Sequence, residues 1–299
     1  MNSNSNNPFD LLNDATYLRW RAKILDLRQQ TKFEIIEIDN PNSIDSDEYQ
    51  KLSSQMAAFN ASIFKLRSNL EIDSTILKTL GSQLDLNHLD SNLYANESDI
   101  SELRVIDGGK RRGEYIPYTN RALGWHTDGY YNHPDKTIRT FILYCINDAH
   151  VGGDNQLLDP ELAYIHLRDR GSHLIEALMR PDTLTIPATI ENGEIVRPEQ
   201  KNPVFQVDPS SGHLLMRYTQ RKTHIQWHQD DNTRQALSLL GDLLASDSDH
   251  ILNVRLNPGE GLISNNTLHN RSAFTDNPKQ PRIMLRARYY DRFRKYSNA

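Results

Sequence analysis

Cysteine is nearly absent from the 299 residues: Cys145 stands alone, so no disulfide can form within the chain. It lies in the apolar run Thr140 to Ile146 and reads as a buried structural thiol, because a reactive thiol needs an exposed, electropositive setting. Long apolar runs are lacking too. No stretch approaches the roughly 20 apolar residues that span a bilayer, and Met1 to Asp10 is rich in Asn and Ser rather than basic and then apolar. Strong charge of one sign is also missing, since the formal net charge is −5 and spread along the chain, which speaks against a general attraction to nucleic acid or anionic membrane. The expectation is a cytoplasmic protein that meets a small-molecule substrate, with no nucleic-acid or membrane partner; a homo-oligomer stays open.

What is present is enough for a folded core. Apolar residues make up 37% and charged residues 24%, and 13 Tyr, 8 Phe and 3 Trp supply large side chains to fill an interior. The first hundred residues read mainly as helix, with apolar residues at three- and four-residue spacing over Asp14 to Leu27, Ser46 to Leu66 and Ser74 to Leu80. Residues 1–102 are therefore expected to form a mainly helical region packed on a core that follows. From Leu103 onward the chain turns to short runs rich in β-branched and aromatic residues, bounded by Gly, Pro, Asn and Asp. Candidate strands are Leu103 to Ile106, Arg139 to Ile146, Asn155 to Leu158, Thr183 to Ile186, Val204 to Val207, His213 to Tyr218, Ile251 to Leu256, Gly261 to Ser264 and Pro281 to Tyr290. Two helices interrupt them: one starts at Asp159-Pro160-Glu161, with a capping Asp and Pro in the first turn, and the other runs from Asn232 to Ala245. Many short strands with few helices between them favour a barrel or sandwich over residues 103–299, in a chain that is mainly β with helical additions.

The most informative segment is Leu123-Gly124-Trp125-His126-Thr127-Asp128-Gly129-Tyr130-Tyr131. Residues two apart on an extended strand end project to the same side, so His126 and Asp128 can reach one metal ion. His269 follows the apolar strand Gly261 to Ser264 and its Asn265-Asn266 turn, and is placed to supply a third ligand. Two neutral imidazoles and a carboxylate on one face would leave adjacent positions on iron(II) open for an anionic bidentate cosubstrate and for oxygen. Taken alone, His-x-Asp is a weak signal, because such tripeptides arise by chance and commonly form surface hydrogen bonds.

Its surroundings strengthen it. The turn Gly152-Gly153-Asp154-Asn155 begins 26 residues after His126, and Arg282, Arg286 and Arg288 begin 13 residues after His269. On a strand these arginines share a face with Met284, while Ile283, Leu285 and Ala287 share the other. A buried arginine row calls for anions as partners, since an unpaired buried guanidinium costs several kcal/mol; an exposed basic edge strand is the alternative.

Across roughly residues 103–291 the chain resembles the 2-oxoglutarate-dependent oxygenases of the taurine dioxygenase (TauD/TfdA) type, which include the γ-butyrobetaine and glutarate hydroxylases. The likeness is carried by Trp-His-Thr-Asp-Gly-Tyr-Tyr at 125–131, the Gly-Gly-Asp-Asn turn, His-Asn-Arg-Ser-Ala-Phe-Thr-Asp at 269–276 and Arg-Ile-Met-Leu-Arg-Ala-Arg at 282–288. Asn202 to Asp208 and Leu215-Met216-Arg217-Tyr218 look most like the glutarate-hydroxylase branch. The resemblance implies a double-stranded β-helix core, jelly-roll and cupin-like, with iron(II) on His126, Asp128 and His269, and with 2-oxoglutarate and O2 as cosubstrates. It further implies that Arg282 binds the distal carboxylate of 2-oxoglutarate, with Arg286 near the substrate or the proximal carboxylate. Asn155 stands where relatives usually carry Thr or Ser, and its amide can still donate to a carboxylate oxygen. The implied reaction consumes 2-oxoglutarate and O2, releases succinate and CO2, and hydroxylates a small organic molecule, with desaturation or cleavage as variants on the same ligands.

Substrate contacts are less well encoded. Candidates are Trp125, Tyr130 and Tyr131 beside the metal motif, Tyr115 and Tyr118 before it, and Arg217, Tyr218 and Arg288; each aromatic can equally be core. Lys110, Arg111, Arg112 and Arg121, with Arg286 and Arg288, suggest an anionic substrate, unless the first group is simply a solvated loop. His224 and His228 have a zinc-binding spacing, but without the Glu of His-Glu-x-x-His they read as polar residues on a loop or short helix. Two other classes remain: a metal-dependent hydrolase on the same three ligands, and a sensor that kept the fold without turnover.

Overall fold

The computed structural model describes residues 7–67, 75–91, 99–106, 116–191, 193–221, 223 and 225–293. Six helices are present among them: α1 (Asp14–Gln30), α2 (Ser46–Phe59), α3 (Ile76–Gln83), α4 (Pro160–Arg168), α5 (Ser172–Met179) and α6 (Asp231–Leu244). Ten strands build the core: β1 (Ile35–Ile38), β2 (Ala61–Leu66), β3 (Ser101–Leu103), β4 (Leu123–His126), β5 (Thr140–Asn147), β6 (Asn155–Leu158), β7 (Ile251–Val254), β8 (Glu260–Ser264), β9 (Leu268–Arg271) and β10 (Ile283–Tyr289).

These strands form two sheets, one in the order β1-β2-β8-β5-β10-β3 and one in the order β7-β6-β9-β4. Only the β1–β2 pair is parallel; the other pairings in the two sheets are antiparallel. The alternation of β5 shows how the layers are made. Phe141, Leu143 and Cys145 join Leu157, Val254, Leu262 and Met284 in a core between the sheets, whereas Ile142 and Tyr144 face outward to Leu52, Met56, Leu77 and Leu80 of α2 and α3. On the far side, Trp125, Leu158 and Leu268 of the smaller sheet pack against α1, α4, α5 and α6 through residues such as Tyr17, Leu162, Tyr164, Leu174, Leu240 and Leu243. Close strand packing sets Gly261: a Cβ there would lie 2.2 Å from Phe64 Cζ.

The N-terminal hundred residues contribute β1 and β2 to the larger sheet, besides α1 to α3. The helix expected over Ser46 to Leu66 is divided at Asn60. Helix α2 opens with a reciprocal capping box between Asp45 and Glu48 and ends at Asn60, whose φ of 51° is the left-handed conformation an Asn tolerates at a helix end. Ala61-Ser62-Ile63-Phe64-Lys65-Leu66 then alternates and pairs with both β1 and β8. Around α4 to α6, short strands of two to four residues complete the structure, including the hairpins Thr189–Glu191 with Glu194–Arg197 and Phe205–Val207 with Leu214–Met216. Among the described residues, no helix is long and apolar enough to cross a membrane.

Candidate metal centre

Strand alternation on β4 and β9 builds the site. On β4, Trp125 turns toward the helices, where its Nε1 donates to the Leu244 carbonyl at 3.1 Å, and His126 turns between the sheets. On β9, Leu268 faces the helices and His269 faces inward, directly paired in register with His126. The two imidazole centroids lie 4.2 Å apart, with the Phe141 ring 4.9 Å from His269. Asp128 follows the end of β4 and completes a group whose ligand atoms all lie within 4.8 Å of one another.

Both imidazoles are oriented for coordination. Nδ1 of His126 lies 2.9 Å from the Gly124 carbonyl and Nδ1 of His269 lies 2.9 Å from the Thr267 carbonyl. A carbonyl can only accept, so each Nδ1 carries the proton and each Nε2 keeps its lone pair for a metal. Burial, with the neighbouring His269, pushes His126 down to about 3, and burial lowers His269 as well, so both rings are neutral. Burial alone would raise the Asp128 carboxyl, but the guanidinium groups of Arg286 and Arg288 more than offset it and hold the group well below the usual carboxylate range. Oδ1 of Asp128 accepts from Arg286 Nη1 at 3.2 Å, while Oδ2 is buried with no hydrogen-bond partner among the described residues. Neutral imidazole, ionised carboxylate and an orphaned buried oxygen together fit a divalent metal such as iron(II).

Asn266 was not anticipated as part of this site. Its Oδ1 accepts from the Asp128 backbone N–H at 2.7 Å, and its Nδ2 donates to the Asp128 carbonyl at 3.0 Å and the Ile138 carbonyl at 2.8 Å. Its φ of 51° belongs to the turn between β8 and β9, so one residue both makes the turn and fixes the backbone of a candidate ligand on a distant segment. In the sequence only the turn signal of Asn265-Asn266 was visible.

The pocket beside the triad is walled by Leu103, Leu123, Phe141, Leu143, Leu157 and Leu262, and its polar lining includes Asn155, Arg271, Arg282 and Arg286. Arg282 is 5% exposed; its backbone N–H is held by Asp276 Oδ1 at 2.9 Å and its guanidinium lies 5.1 Å from the Phe274 ring centroid. That guanidinium has neither a hydrogen bond nor an ion pair among the described residues, and burial lowers its pKa. Arg271, by contrast, donates to the carbonyls of Pro117, Thr119 and Arg121. Asn155 lies opposite Arg271 in register and faces the same pocket.

Several expected substrate contacts are engaged elsewhere. Trp125 is turned into the helical layer, because it alternates with His126 on one strand. Arg288 is paired with Asp90 and donates to the Tyr131 hydroxyl at 3.2 Å, and Arg217 donates to the Asn132 carbonyl at 2.6 Å and also to Thr137. Both guanidinium groups are buried and serve to hold neighbouring segments. The face expected of Arg282, Met284, Arg286 and Arg288 is present: Arg282 lines one pocket with Arg286 and another with Met284, and the register irregularity between Ile283 and Met284 skips Ile146 on β5, leaving the arginine row unbroken. Tyr118 and Tyr218 are core residues. Tyr130 and Tyr131 form an edge-to-face pair with centroids 5.2 Å apart, packed near Leu184 and Ile186. Tyr115, Lys110, Arg111, Arg112 and His224 lie outside the described residues. His228 Nδ1 is 2.8 Å from Asp230 Oδ2, and the triad is the sole candidate metal cluster among the described residues.

The model of the taurine catabolism dioxygenase TauD, TfdA family matches residues 24–288. The chain belongs to the TauD/TfdA family. Similar proteins include a uridine-5'-phosphate dioxygenase of Amycolatopsis sp, 34% identical over 170 residues, covering 55% of this chain and 60% of the relative. Another, from Streptomyces sp, is 33% identical over 176 residues, covering 57% of this chain and 62% of the relative. The matches thus span about three-fifths of these relatives. Among solved structures, an asparagine oxygenase in complex with Fe(II), 2S,3S-3-hydroxyasparagine and succinate superposes with a TM-score of 0.55 at 14% identity, over 97% of this chain and 92% of that one. The fold is therefore the jelly-roll double-stranded β-helix of TauD-like oxygenases, as the sequence resemblance implied.

Proposed function

We propose that the protein is an iron(II)- and 2-oxoglutarate-dependent oxygenase that oxidises a small anionic molecule of the nucleoside-phosphate class. The observation that carries this reading is the convergence, in one pocket, of His126, Asp128 and His269 with the buried guanidinium of Arg282, which is unpaired among the described residues. His126 Nε2, His269 Nε2 and Asp128 Oδ2 would hold the iron, which when bound supplies activation of O2 coupled to decarboxylation of 2-oxoglutarate to succinate. Arg282 would pair with the distal carboxylate of 2-oxoglutarate as a bidentate fork, and Asn155 would donate its amide from the facing strand. Arg286 keeps Asp128 ionised and orients its free oxygen. The aliphatic and aromatic wall excludes water from the reacting centre. The choice of a phosphorylated nucleoside draws on the two uridine-5'-phosphate dioxygenases, which share about a third of the aligned residues.

A zinc hydrolase on the same triad would leave Arg282 without a role. The readings separate in two measurements: anaerobic binding of 2-oxoglutarate to the iron-loaded protein, and succinate release in air on addition of nucleoside phosphates. Arg282→Ala is expected to weaken 2-oxoglutarate about 10- to 100-fold, the scale of a charge-assisted hydrogen-bond pair. Unchanged affinity would refute the cosubstrate assignment, and hydrolysis without O2 would favour the hydrolase.

A further inference from the structure

Two chain crossings join the sheets beside the pocket. Residues 148–154 carry the chain from β5 in the larger sheet to β6 in the smaller, and residues 255–259 carry it back from β7 to β8. Asn155 and Val254 are partners in register where both crossings meet the smaller sheet. Arg255, the next residue, ties one crossing to the other. Its Nη1 donates to the Gly152 carbonyl at 2.9 Å and to Asp154 Oδ1 at 3.2 Å, and its Nη2 donates to the Ala149 carbonyl at 2.9 Å and to Asp148 Oδ2 at 3.1 Å. A guanidinium suits four acceptors gathered in one turn, because its donors spread in a fixed planar fork.

The connection that follows β9 holds the same turn. Ser272 Oγ accepts from the Gly153 N–H at 3.0 Å and from the Asp154 N–H at 3.1 Å, and Gly152 pairs with Phe274. What the turn meets is Arg282. A Cβ on Gly153 would lie 3.5 Å from Arg282 Nε, and Arg282 and Asn155 line both the metal pocket and a second, smaller cavity whose wall includes Arg255, Asp148 and Gly152. The ion pairs of Arg255 are partly exposed, 38% for its side chain against 37% for Asp148 and 51% for Asp154, so solvent screens them and they add little to stability. Its bonds to two backbone carbonyls instead restrict where the turn can lie.

Resting on the oxygenase reading, we propose that Arg255 is a positioning residue for the cosubstrate. By clamping residues 148–154 it fixes the Asn155 amide and the Arg282 guanidinium where they receive a second carboxylate, and so sets the preference for a 2-oxo diacid over a 2-oxo monoacid. It acts through those two side chains, as a support that holds donors in their productive geometry.

The test is anaerobic equilibrium binding, to the iron(II)-loaded protein, of 2-oxoglutarate and of 2-oxopentanoate, which keeps the 2-oxo acid end and lacks the distal carboxylate. Wild type is compared with Arg255→Gln and Arg255→Lys, and urea unfolding follows stability. Wild type is expected to hold 2-oxoglutarate at least about tenfold tighter than 2-oxopentanoate. Arg255→Gln should weaken 2-oxoglutarate about tenfold and leave 2-oxopentanoate within about twofold, with little change in the urea midpoint. Arg255→Lys, which keeps the charge but loses the fork, should fall between. A preference retained in both variants overturns the positioning role, and so does equal weakening of the two acids, the mark of a merely structural residue. Should Arg255→Gln not fold, Arg255→Lys decides by the same criterion, and failure of both to fold overturns the role as well. A wild type that does not prefer 2-oxoglutarate overturns the oxygenase reading instead.

Discussion

The two oxygens of Asp128 meet different surroundings, and the difference rests on residues far away in sequence. Arg286 takes Oδ1, and Oδ2 is buried with no hydrogen-bond partner among the described residues. Neither arrangement would be stable if the backbone of Asp128 could swing, and Asn266 prevents that by bonding both its N–H and its carbonyl. Asn266→Ala is therefore expected to weaken iron(II) about 10- to 100-fold, the usual scale for a residue that orients a ligand. Anaerobic competition with a chromophoric chelator measures this, and wild-type affinity in the variant would remove the positioning role. Cys145 gives a residue-scale prediction of the opposite kind. Burial between the sheets pushes its thiol up to about 12, so iodoacetamide at pH 8 should leave it unmodified in the folded protein and modify it readily once denatured. Rapid alkylation without denaturant would show that the layer opens.

At the scale of elements, the turn into β6 carries a steric requirement. Gly152 has φ +73°, and a Cβ there would lie 2.2 Å from the Ala273 carbonyl oxygen; Gly153 has φ +80°, and its Cβ would meet Arg282 Nε at 3.5 Å. Gly152→Ala should thus destabilise by about 1–3 kcal/mol from backbone strain, with more from the clash, and should weaken 2-oxoglutarate binding. Urea denaturation and anaerobic titration measure the two effects, and a variant with unaltered stability would contradict the geometry. This turn was legible in the sequence because Gly-Gly has few other uses, and so were β5, β6, β8 and β10, whose apolar runs are bounded by turn residues. The candidate metal cluster was legible because His126 and Asp128 stand two residues apart and His269 begins a recognisable motif. The pocket lining was less so. Whether Trp125, Arg217 or Arg288 faces the metal depends on strand phase and on distant partners such as Leu244, Thr137 and Asp90. Asn60 hid the boundary between α2 and β2, because Ala, Ile, Phe and Leu serve a helix and a strand equally well until a left-handed residue divides them.

For the whole molecule the question is what joins the outer helices to the sheet that carries the arginines. One tie is Asp208, beside the hairpin Phe205–Val207 with Leu214–Met216, whose Phe205, Leu214 and Met216 pack with α4 to α6. Its Oδ2 accepts from Arg139 Nε at 2.8 Å, and Arg139 precedes β5 and donates through its backbone to the Tyr289 carbonyl of β10 at 2.9 Å. The Asp208 side chain is 2% exposed and that of Arg139 is 25% exposed, so the pair is only partly screened by solvent. Burial alone would raise the Asp208 carboxyl, but the hydrogen bonds from Arg139 and Ser210 more than offset it and bring it down to about 2, from 3.8. A carboxyl depressed in the folded state binds protons more weakly there than in the unfolded chain. Its contribution, about 2 kcal/mol, is therefore present above pH 3.8 and is lost as pH falls through 2. Asp208→Asn should cost roughly that amount at pH 7, and the gap between variant and wild type should shrink to about half by pH 3. Urea unfolding between pH 7 and pH 3 follows the gap directly; a gap independent of pH would mean that Asp208 holds the layers together by shape rather than by charge.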